Sequence, residues 1–169
     1  LNPRQLGDAQ TSSSIVHKTY AILLWALQLA FLLRVLGQVL VAFFQVGFLP
    51  PMAQWYSGLL PYPILLPVQL LILLLQTKIN RDIWRASGYF ASRRPWAGNT
   101  FCWLSLVYFV AMLLRYVITM YLYPERRWFS GTIPIFFHFV LAAYLFVLGR
   151  YNLSGDAHGR HEQHRQSRK

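Results

Sequence analysis

The chain has 169 residues, 56% of them hydrophobic, 17% aromatic and only 12% charged, with 16 Lys+Arg against 5 Asp+Glu. A soluble domain is usually about one quarter charged, and the apolar residues here gather into blocks that suit a hydrocarbon layer of roughly 30 Å. The composition therefore excludes an ordinary soluble domain. The basic excess is explained without nucleic acid, because most of the cations flank the ends of apolar blocks.

Backbone polar groups in lipid must be satisfied within the segment or in a closed barrel. Nothing in the sequence alternates as barrel strands do. The expected fold is all-α: a polytopic membrane protein with four transmembrane helices, at about 20–48, 63–85, 100–123 and 133–151. These form one membrane domain over 18–151, between an N-terminal tail (1–17) and a basic C-terminal tail (152–169). The chain starts with Leu rather than Met, so residues can precede it. The first block is too long for a cleavable signal peptide and has no small-residue cleavage site after it.

Between the first two blocks lies "GFLPPMAQWYSGLLPYP" (47–63), which carries no charge. Its prolines lack an amide donor and oppose a regular helix. The segment is expected to cap the outer end of the bundle, with Trp55, Tyr56 and Tyr62 as interfacial anchors. The second block continues past Thr77 as an amphipathic extension, with Ile79, Ile83 and Trp84 set against headgroups and Lys78, Arg81 and Arg85 toward anionic lipid.

Cations accumulate on cytoplasmic loops and fix orientation. Lys78, Arg81, Arg85, Arg93 and Arg94 lie between the second and third blocks, and others lie in the tails, so that 12 fall on one side and 2, Arg126 and Arg127, on the other. Both termini are expected to be cytoplasmic, in a bacterial-type inner membrane.

The residues that carry the functional reading are cations inside greasy runs. Arg34 interrupts "AFLLRVLGQVL" (30–40) and Arg115 interrupts "MLLRYVITM" (112–120). At 100° per residue, Gln38 shares a face with Arg34, and Tyr108 shares one with Arg115. Gln69 and His138 fall at similar depth, so all four helices can contribute to one polar layer: Arg34, Gln38, Gln69, Tyr108, Arg115 and His138. A mid-membrane arginine costs roughly 2.5–3.5 kcal/mol on insertion scales. No acid lies inside the apolar runs (20–49, 63–77, 101–123 and 133–151), and only Glu125 in the outer loop is within reach of Arg115. Either the arginines satisfy themselves on carbonyls and amides, or a partner, lipid or cofactor supplies the negative group.

Other signals are weaker. His138 has the chemistry to ligate a haem or chlorin metal, but a second axial histidine at its depth is lacking, and a packing role competes. His158, His161 and His164 have spacing open to a metal, yet polar-tail histidines are usually solvated. Cys102, the lone cysteine, suits a small buried filler. No nucleophile–histidine–acid arrangement or phosphate loop is evident, so enzyme activity is left open and not favoured. The leading expectation is a small subunit that packs in and stabilises a larger membrane complex, in contact with lipids and other membrane subunits. The alternative is a stand-alone enzyme or carrier that binds an anionic lipid-like substrate.

Overall fold

Each apolar block forms one helix in the computed structural model, which describes residues 3–44, 46–49, 55, 61–122 and 132–154, with side chains from Ile15 in the first helix and from Ile135 in the last. The helices are α1 (Pro3–Phe44), α2 (Tyr62–Trp84), α3 (Pro95–Leu122) and α4 (Thr132–Leu153). All four are long and apolar enough to cross a membrane, which suggests an integral membrane protein. Even α4, the shortest at 22 residues, measures about 33 Å at 1.5 Å per residue.

Local chemistry sets the helix ends. Pro63 sits in the first turn of α2 and Pro95 opens α3, positions where a missing amide costs nothing and a fixed φ favours the helix. Pro67 lies inside α2 and is exposed. At the other end of α2, the Arg85 amide donates to the Arg81 carbonyl at 3.0 Å. The chain then reverses through Ala86 (φ 49°) and Gly88 (φ 101°). Asp82 holds this reversal: its carboxylate accepts from the Phe90 amide at 3.4 Å, and a Cβ at Gly88 would fall 2.7 Å from it.

The helices run up, down, up and down, so the start of α1, the end of α2, the start of α3 and the end of α4 share one end. This is called the basic end, since Arg85, Arg93 and Arg94 lie there. α1 is central. It packs against α2 on one flank and α4 on another, and α3 packs chiefly on α4. Buried positions on α1 recur as Ala21, Leu24, Gln28, Phe31, Val35 and Gln38, and on α2 as Gln69, Leu73, Gln76, Asn80 and Ile83. Both rows alternate steps of three and four, the seam of an antiparallel, coiled-coil-like pair.

The α3–α4 contact is built differently, from small residues that let backbones approach. A Cβ on Gly149 would meet Cys102 Sγ at 2.6 Å and the Gly98 carbonyl at 3.0 Å. Ser105 closes the seam by donating to the Ala142 carbonyl at 2.8 Å. Beyond it, most of α3 is exposed apolar surface, with Gly98 and Ser105 its buried residues.

The structure departs from the expectations at several positions. Residues expected to be an N-terminal tail are helical from Pro3 onward. Ile79 and Ile83, expected against headgroups, are 5% and 0% exposed and join the core with Ala21, Leu24 and Tyr151. α1 and α4 both reach this level of α2 and cover them. Trp55 is buried, with its indole over Gly37 where a Cβ would fall 2.6 Å away. The Tyr62 hydroxyl is buried, and its ring meets Phe43 at 6.2 Å. For Trp55, burial against α1 won over exposure at an interface. Tyr56, most of the 49–62 cap, Glu125, Arg126, Arg127 and the histidine-bearing tail lie outside the described residues.

Candidate functional site

Two polar layers cross the bundle, and they differ in how completely they are satisfied. Nearer the basic end, Gln28 donates to Thr77 Oγ1 at 2.6 Å and accepts from Asn80 Nδ2 at 2.7 Å. Tyr144 donates to Asn80 Oδ1 at 2.8 Å, and Thr77 donates to the Leu73 carbonyl at 2.7 Å. Three helices are tied together by neutral groups. Gln76 Oε1 is the one buried atom there without a hydrogen bond among the described residues.

The second layer lies toward the other end. Arg34 is 8% exposed and Gln38, one turn further along α1, is 1% exposed. Gln69, on the facing turn of α2, donates to Gln38 Oε1 at 3.1 Å. Arg34 lies over the Phe137 ring, 5.6 Å from its centroid, where the ring face attracts the cation. The Tyr108 hydroxyl and His138 Nδ1 are hydrogen-bonded, and their rings meet edge-on at 5.7 Å. Arg34 and Arg115 both lie within electrostatic reach of Tyr108 and His138. Arg115 is half-buried.

The six residues singled out from sequence thus sit in one neighbourhood. Arg34, Gln38 and Gln69 are buried at its centre, whereas Tyr108, His138 and Arg115 flank it more openly. What the layer lacks is a carboxylate. Arg34 Nε and Gln38 Nε2 are buried donors with no partner among the described residues, and Gln69 Oε1 is an unmatched acceptor. The acids among those residues are Asp8 near the start of α1 and Asp82 at the basic end. Neither α1 nor α2 packs substantially on α3 among the described residues, so the flank of α3 that carries Arg115 is not closed by α2.

Sequence reasoning missed Phe137, one aromatic among many. It also missed the whole Gln28–Asn80–Tyr144 network, although Gln69, Gln76 and Asn80 fall on one face of a helix. Reading α2 as interfacial beyond Thr77 hid that face. At the basic end, Tyr151 donates to the Ala91 carbonyl at 2.9 Å and lies 3.2 Å from His17 Nδ1. Arg93 stacks over the Tyr151 ring at 5.2 Å, and the Arg94 amide donates to Asn152 at 3.1 Å. These contacts pin the α2–α3 connection onto α4.

Cys102 and Ser105 also line an apolar groove of about 680 Å³ between α3 and α4, with Phe109, Phe139 and Phe146. By helical angle it opens on the flank of α3 opposite Arg115, so it is not continuous with the arginine layer. Among the described residues, no three of His, Cys, Asp and Glu converge as a metal site would require. Compared with protein-family models, with curated proteins and with solved structures, the chain matches none.

Proposed function

We propose that this chain is a small integral membrane subunit of a larger membrane assembly, and that a partner brings a negative group to the layer of Arg34 and Arg115. One observation carries the reading: two cations share that layer with unpaired buried donors and no carboxylate among the described residues. Removing a buried charge from water without a counter-charge costs several kcal/mol or more, and glutamine amides offset this poorly. A carboxylate would accept from Arg34 Nε and Gln38 Nε2 together. The exposed apolar length of α3, which among the described residues packs chiefly on α4, suits a contact with a further helix.

The test is purification in a mild detergent followed by a native mass spectrum. The subunit reading predicts a second polypeptide in fixed ratio. A lone chain that retains an anionic amphiphile would instead favour the carrier or enzyme reading, which the same unpaired donors also suit.

A further inference from the structure

The basic end holds a second cationic feature, unrelated to the arginine layer. Ile22 and Trp25 of α1 and Arg81, Trp84 and Arg85 of α2 line a groove of about 620 Å³. Arg81 and Arg85 are one turn apart and exposed, so both guanidiniums reach the same surface. Trp25 and Trp84 are 39% and 55% exposed on either side. Among the described residues, no carboxylate lines the groove. The neighbouring Asp82 is committed elsewhere, to the Phe90 amide and against Gly88.

Below the groove runs an apolar track. On α1, Ile22, Trp25, Leu29, Leu33 and Leu36 recur at intervals of three and four and are all exposed, so they form one stripe. Leu70 and Leu74 are exposed on α2, further along from the arginines. Cations at a helix end, indoles beside them and an aliphatic stripe beneath follow the order of a phospholipid: phosphate, glycerol ester region, acyl chain.

We infer that this groove is a binding site for one anionic phospholipid, its phosphate held between Arg81 and Arg85, its ester region against Trp25 and Trp84, and an acyl chain along the α1 stripe. The guanidinium fork favours phosphate oxygens over a diffuse surface charge. The inference rests on the membrane-insertion part of the reading above and is independent of any partner subunit.

The experiment uses full-length protein in neutral detergent, mixed with phosphatidylglycerol, phosphatidylcholine or inorganic phosphate and read by native mass spectrometry. One retained phosphatidylglycerol is expected, preferred over phosphatidylcholine by about tenfold or more, with no retention of inorganic phosphate. Arg81→Gln with Arg85→Gln should abolish the preference. Arg81→Lys with Arg85→Lys should keep part of it, and Arg160→Gln with Arg165→Gln should leave it intact. Both groove arginines are exposed, so helicity by circular dichroism should be unchanged. Equal retention of the two lipids, or a Gln/Gln variant that binds like wild type, overturns the site. Carbonate extraction from vesicles of both lipids separates the failures. A chain that washes off overturns membrane insertion and the site with it, whereas one that stays inserted without lipid preference overturns the site alone.

Discussion

The two polar layers share α1, α2 and α4, and the second adds α3, yet one is closed and the other is open. In the Gln28–Thr77–Asn80–Tyr144 layer nearly every donor meets an acceptor within the bundle. In the Arg34 layer, charge is present, buried donors are left over and no carboxylate among the described residues meets them. Buried polarity in a membrane bundle is therefore not by itself a functional signal. A satisfied network fixes the register of helices, whereas an unsatisfied one with net charge asks for something else to complete it.

The contrast can be broken at its extremes first. Replacing Arg34 with Leu removes a cation that costs up to roughly 3 kcal/mol on insertion scales. The purified chain should become as stable as wild type or more so in unfolding by mixed detergent. A loss of stability would mean that Arg34 is satisfied within the chain and that the open layer is in fact closed.

Next is the seam that carries α3. Gly149→Leu forces a side chain into Cys102 and the Gly98 carbonyl, an overpacking cost of about 1–3 kcal/mol. It should detach α3, and with it Tyr108 and Arg115, while sparing the closed layer. Disulfide crosslinking of Tyr108→Cys with His138→Cys should fail, and that of Gln28→Cys with Asn80→Cys should persist. Loss of both would show that the layers are not independent.

Within the closed layer, Asn80→Leu removes the donor to Gln28 Oε1 and the near acceptor of the Tyr144 hydroxyl, and should destabilise the chain by about 1–2 kcal/mol. The sign is opposite to that expected for Arg34→Leu, and the two measured side by side sharpen the distinction. Smallest is the Gln38–Gln69 bond. A double-mutant cycle with Leu at both positions should give a coupling of about 0.6 kcal/mol.

The number of helices was legible because four long apolar blocks leave little choice. Their packing was less so. Ile79 and Ile83 look interfacial beside Lys78 and Arg81, and only the packing of α1 and α4 around them, through Ala21, Leu24, Tyr144 and Tyr151, makes them core. The arginine layer was visible in sequence because a cation in an apolar run is costly wherever it points. The closed layer was not, since isolated Gln, Asn and Thr carry no such cost until their neighbours are known. Trp55 illustrates the same limit: an aromatic near a helix end suits an interface equally well, and only Gly37 across from it decides.

The central claim is that the Arg34 and Arg115 layer is completed by a negative group from outside the chain. It is tested most directly by native mass spectrometry of Arg34→Gln with Arg115→Gln, beside wild type, purified from the same membranes. The account predicts that the double variant inserts normally but loses a species that wild type retains in fixed ratio, with Arg34→Lys and Arg115→Lys rescuing only part, because an ammonium cannot reproduce the planar guanidinium fork. A double variant that keeps every retained species would contradict it.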